Sequence, residues 1–418
     1  MNNARLARNG LIVLSLINLF NYLDRYVVAA LTESLKSSPL HPTDAQIGLL
    51  GTSFLVVYTL TAPLFGRAGD RGPRARLLGI GVFIWSLATA VAGLVRTMFQ
   101  LLVARAIVGV GEAAYGTVGP SLLADYYPRE RRGRVFAIFF MAIPVGSALG
   151  FVVGGLADHL WGWRSAFFVA GGPGLILALL AARLWDAPRG AHDEPSAPSG
   201  SGLGQVLRSL AANRSYVLTV LGYAAYTFAL GGVAYWMTGF LERVRHVPKT
   251  TATSGFGGIV VVTGLVGTAL GGWLGDRWLR RTPNAYVWLS GIATLLAAPV
   301  FAVALLSPAP AVFWPAMIVA QLLMFASTGP INSQIVNVVH PAIRTTAVAV
   351  SVFTIHALGD CWSPFLVGTI SDHAGLGTAV LILPVAAAAG GIIWMWGAST
   401  TPLLPIRDSH SPRSSESP

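Results

Sequence analysis

The chain has one cysteine, Cys361, in 418 residues, which excludes an intrachain disulfide framework and any cysteine-based metal site. Charge is scarce as well: Asp, Glu, Lys and Arg together make up 11% of the residues, less than half of what an ordinary soluble domain carries. The sequence contains no phosphate-cradling Gly-x-x-x-x-Gly-Lys-Ser/Thr loop, no metal-ligand spacing and no nucleophile–base constellation. An enzyme or a nucleotide-driven pump is therefore not expected, and neither a metal nor an organic cofactor is called for. No short apolar stretch with a small-residue cleavage site opens the chain, so its first apolar run is expected to stay as a structural element.

Apolar residues and glycine are what the chain has in quantity. It is 54% hydrophobic with 47 glycines, and its mean hydropathy is +0.64. Apolar runs of about 20 residues recur from end to end, as a polytopic all-α membrane protein requires. We place twelve transmembrane spans, beginning near residues 9, 44, 76, 98, 133, 163, 215, 251, 284, 311, 344 and 376. The net charge of +11 and a pI near 10.3 would suit a nucleic-acid partner if the basic residues were clustered. They sit instead in short loops. Twenty arginines lie at the termini and in the loops after even-numbered spans, against six basic residues in the other loops. This asymmetry predicts that both termini are cytoplasmic and argues against nucleic acid.

A Pro/Ser/Gly-rich stretch, 186–204, follows span 6 and reads as a flexible cytoplasmic linker. The expected organisation is a six-helix bundle over 1–185, a linker over 186–213, a second six-helix bundle over 214–400, and a disordered tail over 401–418. The two bundles carry a weak internal repeat. Gly66-x-x-x-Asp70-Arg71-x-x-Arg74 recurs as Gly272-x-x-x-Asp276-Arg277-x-x-Arg280, and Pro128-x-x-Arg131 recurs as Pro341-x-x-Arg344. Gly154-x-x-x-Asp158-His159 recurs as Gly368-x-x-x-Asp372-His373. The displacements are 206, 213 and 214 residues, in the same order. Parallel six-helix repeats are the layout of secondary transporters with a midplane site between the halves.

The two Gly-x-x-x-Asp-Arg loops resemble the inter-helix signature of the major facilitator superfamily, with Pro73 where a glycine is usual in the first. Arg105-x-x-x-Gly109-x-Gly111 is similar to that superfamily's span-4 signature. Three further strings resemble the Spinster transporters: Asn21-Tyr22-Leu23-Asp24-Arg25-Tyr26, Gly109-Val110-Gly111-Glu112-Ala113, and His356-x-x-Gly359-Asp360-x-x-Ser363-Pro364 continuing to Ser371-Asp372. The resemblance implies a transporter with the major facilitator fold, taking lysophospholipid- or sphingosine phosphate-like amphiphiles. It also implies that the charges at Asp70, Arg71, Arg74, Asp276, Arg277 and Arg280 latch the cytoplasmic gate in the outward-facing state. The plainer reading of these arginines is topology retention, and the two are compatible.

A charge at the centre of a spanning helix costs about 2.5–3.5 kcal/mol on insertion scales and marks a functional hypothesis by default. Asp24, Arg25, Glu112 and, in span 11, His356 and Asp360 are such groups, and Arg105 lies near the start of its span. Asp24, Arg25, Glu112 and the His356–Asp360 pair have no ionisable counterpart in the other half, so fold symmetry does not require them. Arg105 and Glu112 lie seven residues apart on one helix face, separated by about 10 Å. Asp24 and Arg25 point about 100° apart, so one can face a cavity while the other ties to a neighbouring helix. His356 and Asp360 are one turn apart and placed to hydrogen-bond. Proton coupling is expected of Asp24, Glu112, His356 and Asp360. The alternatives are a fixed buried ion pair at Asp24–Arg25, a packed helix tie at Glu112 and a structural histidine at 356.

Substrate contact is expected of Arg25 and Arg105, of the aromatics Tyr58, Tyr115, Trp236, Phe325 and Trp362, and of Thr117, Thr328 and Asn332. Span 5 carries Gly146-x-x-x-Gly150-x-x-x-Gly154-Gly155, similar to the superfamily's antiporter signature but with Phe151 where proline is expected; small-residue packing is the alternative. The leading functional reading is a proton-gradient-driven secondary transporter of lysolipid-like amphiphiles. A proton-coupled drug antiporter or organic-anion symporter is the alternative, and a non-transporting receptor or scaffold a further one. The partners expected are an amphiphilic substrate, protons and the lipid bilayer, with the chain a monomer. Arginine in place of lysine, with abundant Ala and Gly, points to a bacterial inner membrane.

Overall fold

Each spanning helix is apolar around its whole circumference, so its outer face suits lipid and its inner face needs only small residues to pack. A computed structural model describes residues 3–127, 129–188, 203–339 and 343–400. Among them are twelve helices long and apolar enough to cross a bilayer. In order, spans 1 to 6 are Asn3–Ala30, Asp44–Arg71, Arg74–Ala92, Met98–Tyr126, Arg129–Trp161 and Trp163–Ala182. Spans 7 to 10 are Arg214–Arg243, Lys249–Leu279, Ala285–Leu306 and Pro310–Asn337. Spans 11 and 12 are Thr346–Ala374 and Leu376–Thr400. The first helix begins six residues before its apolar run does, carrying the polar start of the chain into the helix.

Local chemistry sets several boundaries. Thr43 and Thr97 begin spans 2 and 4 as capping boxes with Gln46 and Gln100. Gly162 and Gly375, with φ of 83° and 79°, turn the chain from span 5 to 6 and from span 11 to 12, a conformation that glycine adopts without cost. They stand just after the two Gly-x-x-x-Asp-His strings, so the repeat extends into the backbone.

The segment read as a flexible linker is structured at both ends, which corrects its boundaries. Asp186 and Ala187 are held by Arg74: the Arg74 backbone N–H and Nε donate to the Asp186 carboxylate, at 2.8 and 2.9 Å, and Nη2 donates to the Ala187 carbonyl. Leu203–Ala212 is a helix, and its Val206 and Leu210 are buried in the second half's core. Its spacing of apolar residues outweighs the polar composition that precedes it. Residues 189–202 and the expected tail, 401–418, lie outside the described residues.

Within the first half, span 1 packs on span 5, span 2 on span 4, and span 3 on spans 4 and 6. In the second half, span 7 packs on span 12, span 8 on span 10, and span 9 on spans 10 and 12. The halves meet through span 2 against span 11 and span 5 against span 8. One hydrophobic cluster joins both halves at the end away from the termini, including Val27, Leu31, Phe151, Trp236, Phe256 and Leu383. At the terminal end each half keeps its own core, around Leu122 and Tyr126 in one and Tyr216 and Trp394 in the other. The molecule is thus closed at the far end and parted toward the termini.

Candidate functional site

Span 1 brings Asp24 and Arg25 to span 4, and the two neighbours take different partners. Asp24 is buried; its Oδ2 accepts a hydrogen bond from Thr89 Oγ1 of span 3 at 2.7 Å, and its Oδ1 lies 3.7 Å from Arg105 Nη1. Arg25 Nε donates to Glu112 Oε2 at 2.7 Å. The pairing is crossed: consecutive residues of span 1 reach two groups seven residues apart on span 4. Divergence of neighbours around one helix and coincidence of faces at i and i+7 on the other produce this. Asp24 and Arg25 do not pair with each other.

Both guanidinium groups lie against aromatic rings. The Arg25 carbon sits 4.9, 5.0 and 5.1 Å from the rings of Tyr22, Phe54 and Tyr58, and the Arg105 carbon 5.0 Å from Phe54. Such contacts offset part of the desolvation cost. The pairs are unequal in access: the Glu112 side chain has no exposed surface, whereas that of Arg25 is 19% exposed. Glu112 Oε1, Asp24 Oδ1 and Arg105 Nε make no hydrogen bond among the described residues.

Glycine packs span 4 tightly against its other neighbours. A Cβ on Gly109 would lie 2.5 Å from the Phe54 carbonyl oxygen, and one on Gly116 would lie 2.3 Å from the Tyr58 hydroxyl. A Cβ on Gly111 would meet Gly81 and Trp85 of span 3. Span 4 therefore approaches spans 2 and 3 at backbone distance, and Tyr58 keeps its place.

Across the interface, span 11 is interrupted at the site. Its helix runs to Ile355, takes a wider π-type turn over His356–Asp360, and resumes at Ser363–Ala374. Gly359 has φ −106° and ψ −105°, and a Cβ there would lie 2.4 Å from Thr227 Oγ1 and 2.7 Å from the Ala224 carbonyl oxygen. Thr227 Oγ1 donates to the Ile355 carbonyl at 3.2 Å, serving an oxygen at the break. His356 Nδ1 lies 2.9 Å from Asp360 Oδ1. The His356 ring stands edge-on to Tyr58, with centroids 6.4 Å apart. Tyr58 thus touches Arg25 in one half and His356 in the other.

The other expected contact residues divide by exposure. Phe325 and Thr328 are half-buried on span 10, and Asn332 is exposed. Tyr226 donates to the Met324 carbonyl at 2.9 Å and lies 3.2 Å from Thr328 Oγ1, while Asn332 Nδ2 donates to Tyr223 Oη at 3.1 Å. Trp362 is exposed, and its Nε1 donates to the Ala357 carbonyl. Thr117 is half-buried with its hydroxyl bonded to the Ala113 carbonyl. Tyr115 and Trp236 present almost no surface: Tyr115 donates to the Leu14 carbonyl, and Trp236 donates to the Pro364 carbonyl. A lipid-facing groove of about 680 Å³ between spans 3 and 4, lined by Phe83, Leu87, Val91, Phe99 and Val103, opens on the outer wall.

At the terminal end, the expected gating charges Arg74 and Asp276 take partners within their own halves. Arg74 is buried, with Nη1 2.5 Å from Asp125 Oδ2 in addition to its bonds to Asp186 and Ala187. Asp276 accepts from Tyr286 at 2.7 Å, Arg277 lies over Trp273, and Arg71 and Arg280 are exposed. The side chain of Asp70 lies outside the described residues.

The far end holds ionic groups that sequence reasoning passed over as loop charges. Arg243 of span 7 donates to Glu33 at 2.7 Å and to Asp44 at 2.5 Å, both in the first half. Tyr235 donates to the Ile47 carbonyl and Thr238 to the Ala29 carbonyl, at 2.6 and 2.7 Å. Their spacing carried no signal, because each contact joins residues 188 to 210 positions apart in the chain.

Comparison with known proteins agrees with this architecture. Residues 14–364 match the family model of the Major Facilitator Superfamily. "Protein spinster" of Drosophila melanogaster is 32% identical over 370 residues, covering 86% of this chain and 61% of that protein. "Sphingosine-1-phosphate transporter SPNS2" of Danio rerio is 31% identical over 417 residues, covering 92% of this chain and 82% of the relative. The crystal structure of a bacterial homolog to the human lysosomal transporter Spinster, inward-facing and unoccupied, superposes with a TM-score of 0.86 at 24% identity, over 94% of this chain and 97% of that one. The twelve-span fold and these matches lead to one assignment: the chain is an integral membrane transporter of the major facilitator superfamily and belongs to its Spinster family.

Proposed function

We propose that the protein moves lysophospholipid- or sphingosine phosphate-like amphiphiles by alternating access, driven by the proton gradient. The observation that carries this reading is the placement of Tyr58, which touches Arg25 on one side of the interface and His356 on the other. Arg25 is the one member of the crossed pairs with appreciable exposure. An anionic head group entering between the halves would meet its guanidinium and compete with Glu112 for it. A buried carboxylate that loses its counter-charge is neutralised by a proton rather than left ionised. Binding of the head group and protonation of Glu112 are thereby linked. Asp24 is held by Thr89 and Arg105 and serves as the second carboxylate of the relay, and His356–Asp360 faces the same space from span 11. The tail lies along apolar wall residues such as Phe325 and Trp362. The sphingosine-1-phosphate named for the Danio rerio relative has this single-head, single-tail chemistry.

The cytoplasmic placement of the termini, a bacterial inner membrane and a monomeric state belong to the same reading, supported by the arginine-rich loops on one side. The test is uptake of a labelled lysophosphatidyl lipid into proteoliposomes, with and without an imposed proton gradient, for the wild type and Glu112→Gln. Gradient-dependent uptake in the wild type and its loss in the variant is the expected result. Uptake indifferent to the gradient would make Glu112 a structural tie. No uptake at all, with a soluble organic anion carried instead, would overturn the lipid assignment.

A further inference from the structure

The Gly-x-x-x-Asp-His string closes both span 5 and span 11, and the transport site uses neither copy. In the folded chain each aspartate reaches across the interface to the first residue of a helix in the other half. Asp372 Oδ1 accepts from the Asp44 backbone N–H at 2.7 Å, and its Oδ2 accepts from the Ala45 N–H at 2.8 Å. These are the first two amides of span 2, which have no partner within their helix and carry its positive end. Asp158, buried at the end of span 5, accepts from Lys249, the first residue of span 8, and from Ser34 Oγ at 2.6 Å.

Small residues beside each aspartate let the helices of the two halves come close. A Cβ on Gly368 would lie 2.2 Å from the Asp44 carbonyl oxygen, and one on Gly155, the residue after the glycine of the span 5 string, would lie 2.4 Å from the side-chain Oγ1 of Thr253 in span 8. Spans 2 and 11 therefore touch at backbone distance beside Asp372, and span 5 receives the Thr253 side chain of span 8 near Asp158. Lys36 and Lys249 are the only lysines in the chain, and both are engaged here, Lys36 with Asp44 at 2.8 Å.

We propose that the two strings are a matched pair of catches, Asp372 on the start of span 2 and Asp158 on the start of span 8, which hold the far end shut and release together when it opens. The catches require only that the halves rock, not that the cargo is a lipid or the driving ion a proton. Symmetry gives the expectation its form. Each catch is a charge-assisted contact, so losing one raises the far-end-open population about tenfold, and losing both raises it on the order of a hundredfold.

The experiment uses the full chain in lipid nanodiscs, with spin labels at Arg96→Cys and Ala309→Cys in a Cys361→Ala background. These two positions are exposed far-end loop residues, one in each half. Electron–electron distance distributions are recorded for Asp158→Asn, Asp372→Asn and the double variant, with no substrate required. The expected result is a longer-distance population in each single variant, comparable between the two and larger in the double. Asp158→Lys should open the far end, and adding Lys249→Asp should close it again, an outcome that misfolding cannot imitate. Unchanged distances in the double variant, or no recovery in the charge exchange, would overturn the proposal.

Discussion

Replacing Arg25 and Glu112 by glutamine, singly and together, separates a structural ion pair from a working one. Arg25→Gln leaves Glu112 with no exposed surface, one oxygen already without a hydrogen bond, and no guanidinium at 2.7 Å. Removing one partner of a buried pair costs about 3–5 kcal/mol. Glu112→Gln is milder because the abandoned charge keeps 19% exposure and three aromatic rings within 5.1 Å; about 2 kcal/mol is expected, the lower side of what a lost charged hydrogen bond costs. The double variant leaves no unpaired charge and retains an amide–amide bond, so it should be more stable than Arg25→Gln alone. Unfolding in mixed micelles would measure all four proteins as a double-mutant cycle, with a coupling energy of about 2–3 kcal/mol. Transport is then assayed on the same samples. If the pair works in transport, the double variant regains stability but not gradient-driven uptake. Stability and uptake recovering together would refute the coupling role and leave a packing tie. Additive losses, with no coupling, would refute the ion pair as an energetic unit.

Two further outcomes follow from close contacts around the same centre. Gly116→Ala places a carbon 2.3 Å from the Tyr58 hydroxyl, so it should push the ring off Arg25 and His356 and lower uptake severalfold, and Tyr58→Phe in the same chain should restore part of it. Thr89→Val removes the 2.7 Å hydrogen bond to Asp24 at nearly constant volume; a destabilisation of about 1.5–3 kcal/mol is expected in the same unfolding assay, as for hydrogen bonds to charged groups.

The twelve spans and the repeat were legible because both are written in one dimension. A bilayer demands about 20 apolar residues whatever the neighbouring helices do, and eleven of the twelve helices begin within four residues of the expected position. Leu203–Ala212 was missed because the stretch before it is polar and the helix is too short to register as a span. Its two buried residues, Val206 and Leu210, gain their helix from docking on the second half. The ionic residues stood out for the opposite reason, each being costly where it lies.

Their partners were another matter. From the sequence, Asp24 had Arg25 beside it and arginines and carboxylates elsewhere, and nothing in the spacing chose among them. The choice depends on how spans 1, 2 and 4 sit together: glycines at 109 and 116 let span 4 close on Phe54 and Tyr58 of span 2, whose rings flank Arg25. Nor did the sequence show that Tyr115 and Trp236 would spend their polar atoms inside the packing, or that span 11 would widen at Gly359 against Thr227. By itself the sequence determined a twelve-span repeated transporter with charged residues in its midplane, because hydrophobic length and the cost of a buried charge are local quantities. Only the tertiary structure decided which charges pair, which end is shut and what shuts it, because a pairing across 87 residues of chain, as between Arg25 and Glu112, is fixed by helix packing and not by distance along the sequence.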